Sequence, residues 1–166
     1  LDEKEKIGKR AASLIAENES VMLYTGTTTL QIARHLDGSK NIIAVTNSIY
    51  IAYELGKWPN VKTVVIGGNF NPSTGATYGV QAIKQLNEYN IDKLFLAVDG
   101  IDADMGVTND QPYETDINHA MIGKARQVIV VADHTKIGAI HFVSMGNIED
   151  IDILITDNKA SPEKVQ

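Results

Sequence analysis

The stretch VMLYTGTTTL, residues 21–30, joins four apolar or aromatic residues to a glycine set among four threonines. Val21, Met22 and Leu23 read as a short apolar strand, while Leu30, Ala33 and Leu36 recur at the spacing of one helix face and stop at Asp37-Gly38. The hydroxyls therefore stand where a strand turns into a helix. Downstream the pattern recurs. NIIAV (residues 41–45) runs into Thr46-Asn47-Ser48 and a helix from Ile49 to Leu55, and VKTVVI (61–66) runs into Gly67-Gly68. DKLFLAV (92–98) ends at Asp99-Gly100, QVIVVA (127–132) at Asp133 to Lys136, and IDILIT (151–156) at Asp157. Near-continuous Val/Ile/Leu runs mark strands covered on both faces, as in a parallel sheet flanked by helices. The expected fold is α/β, with a Rossmann-like, mostly parallel sheet.

Upstream, Ile7, Ala11, Leu14 and Ile15 predict an amphipathic helix over residues 4–17. Residues 67–79, GGNFNPSTGATYG, are rich in turn formers and predict either a mobile loop or a short extra strand around Ala76 to Tyr78. A length of 166 residues suits one domain. With 43% hydrophobic and 22% charged residues, the chain has the balance of a globular protein. The absence of cysteine excludes disulfides, thiolate metal sites and thiol nucleophiles, and fits a cytoplasmic setting. No apolar run reaches membrane-spanning length. A net charge of −6 argues against this chain holding nucleic acid by itself.

In an open parallel sheet, ligands bind beyond the carboxyl ends of the strands. Those ends carry Thr25-Gly26-Thr27-Thr28, Thr46-Asn47-Ser48, Gly67-Gly68, Asp99-Gly100 and Asp133 to Lys136. Gly26 lets backbone approach a ligand closely, threonine hydroxyls supply hydrogen bonds, and a following helix offers free N–H groups at its positive end. That combination is a seat for an anion, most naturally a phosphate; a plain threonine helix cap is the competing reading. Asp99 and Glu114 suit sugar hydroxyls or acid–base work, whereas Asp102 and Asp104 read as turn residues. The acidic spacing fails the calcium-loop pattern, and His35, His119, His134 and His141 show no zinc spacing, so no metal or other cofactor is expected. Dinucleotide, P-loop and serine-hydrolase motifs are missing.

Taken together, TGTTT, VTNS, IGG, DKLFLAVDGID with Gly106-Val107-Thr108, and VVADHTKIG resemble the effector-binding domain of DeoR-family transcriptional repressors, in the same order from about Lys4 to Asp157. The resemblance implies a sugar-phosphate sensor with a fold similar to ribose-5-phosphate isomerase and coenzyme A transferases. It also implies an upstream winged helix-turn-helix that contacts operator DNA, and a homodimer or homotetramer. Phosphate would then meet Gly26, Thr27, Thr28, Thr46, Asn47 and Ser48. Asp99, Glu114 and Lys136 would line the sugar end, with Asp133 ordering Lys136 and with Tyr24, Thr25, Gly67, Gly68 and Gly100 completing the strand-end pocket. One departure stands out: family members often carry aspartate two residues before the first glycine, where this chain has Tyr24, a residue for the ligand or for packing. An aldose–ketose phosphate isomerase using Asp99, Asp102, Glu114 and Lys136, and a purely structural oligomerisation domain, are the alternatives.

Overall fold

The computed structural model describes residues 2–166. The chain runs through α1 (Asp2–Ser13), β1 (Ser20–Leu23), α2 (Thr27–Arg34), β2 (Ile42–Thr46), α3 (Ile49–Leu55) and β3 (Val61–Val65). A hairpin of β4 (Asn69–Asn71) and β5 (Ala76–Tyr78) follows, then α4 (Val80–Leu86) and β6 (Ile91–Ala97). Next come β7 (Gly100–Asp102), β8 (Gly106–Asn109), α5 (Thr115–Lys124), β9 (Ala125–Val131), β10 (Val143–Gly146), β11 (Ile153–Ile155) and α6 (Pro162–Val165).

Six strands form one sheet in the order β11-β9-β6-β1-β2-β3, and every pairing in it is parallel. Successive residues along each strand feed opposite faces, as the two-residue period demands. Met22, Val45, Leu94, Leu96, Val128 and Val130 pack with Ala82 and Leu86 of α4 and Ile117 and Met121 of α5. Val21, Leu23, Phe95, Ile129 and Val131 pack on the other side with Ile7 and Ala11 of α1, Ile32 and Ala33 of α2, and Ile51 and Leu55 of α3. Two-sided burial explains why the strands read as continuous apolar runs. The expected α/β architecture with a mostly parallel sheet is the one observed.

The strand order positions the site. From β1 the chain moves to β2 and β3 on one side, and from β6 to β9 and β11 on the other, so the order reverses between β1 and β6. At such a reversal the connections leave in opposite directions and open a crevice above the carboxyl ends.

Locally, two points differ from the sequence reading and one open choice is decided. The first helix ends at Ser13 rather than residue 17, and the Ser13 hydroxyl there turns back onto the Arg10 carbonyl (2.6 Å). Residues 67–79 take the second of the two expected forms, a strand over Ala76–Tyr78 (β5), which pairs antiparallel with β4, Asn71 opposite Ala76. A separate antiparallel sheet, β10-β8-β7, was not anticipated. Its strands have three or four residues, too few for alternation to show. Asp102 closes its first turn by accepting from the N–H groups of Asp104 and Met105, both at 2.9 Å. These bonds hold its carboxyl below the usual range, and the turn role expected of it is what the structure shows.

Candidate functional site

The crevice between β1 and β6 begins where Tyr24 N–H bonds the Phe95 carbonyl (3.1 Å) and the chain then turns into α2. Gly26 is needed at this turn for space: a Cβ there would lie 2.5 Å from the Ala97 Cβ. The first helical bond runs from Leu30 N–H to the Gly26 carbonyl (3.0 Å). The N–H groups of Thr27, Thr28 and Thr29 therefore precede the ladder, and the glycine cap offers no side chain to take them. Thr29 is committed to the turn itself, donating to the carbonyls of Tyr24 (2.6 Å) and Gly26 (3.0 Å). Thr28 is buried and lines the crevice, while exposed Thr27 accepts from Lys4 Nζ of α1 at 2.9 Å.

The crevice encloses about 350 Å³. Its cations are Lys4 and Lys136, its carboxylate is Asp99, and Leu30, Tyr50, Ile51 and Ala97 give it an apolar wall. Lys4 and Lys136 both act on Asp133, whose burial raises its pKa but whose bonds from the Thr135 hydroxyl and N–H, with the two lysines, bring it below the ordinary carboxylate value. Asn109 lines the crevice at 3% exposure. Its Oδ1 accepts from Gln111 N–H (3.1 Å), but its Nδ2 has no partner among the described residues. A buried donor left unpaired is costly, on the order of 1–3 kcal/mol, so Asn109 brings an unsatisfied donor to the crevice wall.

Behind the wall lies a polar network. Glu114 is fully buried and accepts from Tyr24 Oη (2.5 Å), Asn71 Nδ2 (2.9 Å) and Thr74 Oγ1 (2.9 Å). Thr74 belongs to the β4–β5 hairpin and also lines the crevice, where its carbonyl accepts from Thr25 Oγ1 (2.8 Å). The hairpin is thus tied to β1 on one side and to the start of α5 on the other. Burial, and then the Glu114 charge, raise the Tyr24 pKa well above that of a free phenol. A raised folded pKa means the stabilisation is complete below the unfolded value of about 10 and is lost as pH rises through the folded one. Alkaline unfolding followed by circular dichroism should accordingly show a loss of stability above pH about 10 that Tyr24→Phe makes shallower; an identical pH profile in the variant would count against the buried pair.

The profile of the DeoR C terminal sensor domain matches residues 1–158. The chain belongs to the DeoR sensor-domain family. Among relatives of this sensor domain, the HTH-type transcriptional regulator GolR of Listeria innocua is 31% identical over 96% of this chain and 63% of its own length. The HTH-type transcriptional repressor GlcR of Bacillus subtilis is 35% identical over 94% of this chain and 60% of its own. The chain spans about three fifths of the length of these relatives. Among solved structures, a probable sor operon regulator from Shigella flexneri shares the fold with a TM-score of 0.62 at 11% identity, covering 95% of this chain and 86% of that one. Ribose 5-phosphate isomerase A from Neisseria gonorrhoeae does so with a TM-score of 0.58 at 18% identity, over 80% and 52%.

Of the residues singled out in the sequence, Tyr24, Thr25, Gly26, Thr27, Thr28, Ser48, Asp99 and Lys136 line the sensor domain's crevice. Others serve the frame. Thr46 donates to the Leu23 carbonyl (2.7 Å), and Asn47 accepts from Thr25 N–H (3.3 Å) and donates to the Thr77 carbonyl (3.2 Å). Both hold the strand-end turn. Even Ser48 has a structural task, capping α3 through Ile51 N–H (3.3 Å). Gly67 and Gly68 lie apart from the crevice: they border a separate surface depression with Lys84 and Gln85, because β3 is the sheet edge, away from the strand-order reversal. Gly100 is also displaced from the pocket: it is the first residue of β7, packed on the Ala139 carbonyl. Glu114 lies behind the wall rather than in it, and Asp133 caps the 3-10 turn His134–Lys136.

Sequence reasoning missed Lys4, Tyr50, Ser73, Thr74, Asn109 and Gln111. Lys4 carried no signal because it comes from the helix before the sheet. Asn109, on the antiparallel sheet, was hidden with that sheet. The fold also brings ligand atoms of Asp99, Asp110 and His141 within 4.8 Å of one another, a grouping that histidine spacing could not reveal. The His141–Asp110 pair (2.7 Å) and the Asp110 N–H bond to Asp99 (3.2 Å) tie these groups to each other at the rim. Among the described residues no helix is long and apolar enough to cross a membrane.

Proposed function

We propose that this sensor domain binds a phosphorylated sugar and, within a longer cytoplasmic, homo-oligomeric transcriptional regulator of sugar metabolism, passes that occupancy to an operator-binding domain. The observation that carries the reading is the joining, in one crevice, of the uncapped start of α2 and two lysines with Asn109, whose Nδ2 is unpaired among the described residues, and the Asp99 carboxylate. Free helix N–H groups and ammonium groups suit a phosphate. The amide donor and carboxylate acceptor suit a polyhydroxylated body. The relatives' names, regulators and repressors, support sensing over turnover, and such a sensor works by binding one conformation better than another.

Thermal shift against a panel of sugar phosphates, with unphosphorylated sugars and inorganic phosphate alongside, tests the reading, since a ligand of the native state raises Tm by mass action. The ligand should be recovered unchanged; its conversion to an isomer would replace the sensor with an enzyme. A variant carrying Thr27→Val and Thr28→Val should keep its fold and lose on the order of 1 kcal/mol of binding for each hydrogen bond removed. Unaltered affinity in that double variant would remove the hydroxyls from the seat.

A further inference from the structure

We infer that Lys4 of α1 is a ligand for the anion held at the start of α2, and that anion binding and the docking of α1 on α2 are one coupled event, granted that the crevice is the anion site proposed above. Lys4 reaches across from a helix that precedes the whole sheet and places Nζ 2.9 Å from Thr27 Oγ1, on the crevice wall. An ammonium has three N–H donors, and this bond uses one. An independent sign that the crevice receives a ligand is Asn109, which lines it and whose buried Nδ2 has no partner among the described residues. Asp99 on the same wall repels negative charge, which directs an anion toward the lysines and the N–H groups of α2.

The way α1 is held makes this contact consequential. From Ile7 onward the helix is anchored by burial of Ile7, Ala11 and Ala12. Gly8 lies so close to α2 that a Cβ would come 2.5 Å from the Gln31 Cβ. Ahead of Ile7 the contacts are polar: Glu3 with Lys159, Lys4 with Thr27, and Glu5 with His35 at 3.4 Å. Solvent-accessible polar contacts of this kind hold a helix weakly. An anion shared between Lys4 and the α2 N–H groups would join the two helices where they are least tied, and by linkage a docked α1 would in turn favour the anion.

Amide hydrogen exchange over residues 7–12, with inorganic phosphate against chloride of equal ionic strength, tests this alongside phosphate affinities of the wild type, Lys4→Met and Lys136→Met. Phosphate should slow exchange in α1 severalfold in the wild type and not in Lys4→Met. Lys4→Met should also weaken phosphate binding roughly tenfold, as loss of a charge-assisted bond does. If Lys136→Met weakens phosphate but Lys4→Met binds it like the wild type, the anion site stands and the role of Lys4 is overturned. Weakened binding in Lys4→Met with α1 exchange indifferent to phosphate would overturn the coupling. Phosphate that fails to bind the wild type would remove the anion site and the coupling together.

Discussion

Gly26→Ala should abolish high-affinity ligand binding and lower Tm, and Ala97→Gly in the same chain should restore much of both. The added Cβ meets the Ala97 Cβ at 2.5 Å, and neither atom has a torsion that could relieve the contact. The turn must therefore move off β6, at a cost of about 1–3 kcal/mol for overpacking, or about 2–4 °C in Tm for each kcal/mol in a chain of this size. Displacing the turn carries the α2 N–H groups away from the crevice, and in a preorganised site a shift of about 1 Å can cost on the order of a hundredfold. The double variant removes the opposing methyl, so the two substitutions should be strongly non-additive. Additive losses in unfolding and binding would show that Gly26 serves something other than the close approach to Ala97.

Glu114→Ala is the second large effect. It strips the acceptor from Tyr24, Asn71 and Thr74 at once, and each buried donor left unpaired costs about 1–3 kcal/mol. A loss on the order of 3 kcal/mol or more is expected in urea unfolding, with the β4–β5 hairpin loosened and affinity reduced through Thr74. Glu114→Gln retains an acceptor oxygen and should fall between the wild type and Glu114→Ala. A Glu114→Ala chain within about 1 kcal/mol of the wild type, a typical single-substitution effect, would mean the carboxylate does not hold the hairpin.

Much of the fold was legible because its main strands are buried on both faces. Val128 to Val131 could hardly be anything but a central strand, and the β1–α2 turn announced itself through Gly26 and its threonines. About half of the candidate site was legible for the same reason: strand ends can be read in order along the chain. The polar residues at those ends were harder to apportion. Thr28 lines the crevice while Thr29 bonds the backbone, yet the two are adjacent and chemically identical. Which hydroxyl faces the crevice follows from helix rotation, fixed only when Ile32 and Ala33 pack into the core.

Tyr24 shows the same division. Its place two residues before Gly26 was visible, but its role depended on a residue 90 positions away. Only the packed structure shows that the phenol donates to Glu114 and so braces the hairpin. Lys4, Thr74 and Asn109 likewise reach the crevice from segments remote in sequence.

The sequence by itself determined the α/β class, the order of the strands along the chain, and the glycine and hydroxyl turn after the first of them. These are local or periodic properties, set by which residues alternate, which repeat every three or four positions, and which permit a tight turn. The tertiary structure decided where strand order reverses, which strand-end groups face the crevice, that Gly67 and Gly68 do not, and that Glu114 stands behind its wall. Those outcomes depend on pairing and packing between distant segments, whose relative placement is chosen by burial of the two core faces and by satisfaction of buried polar groups.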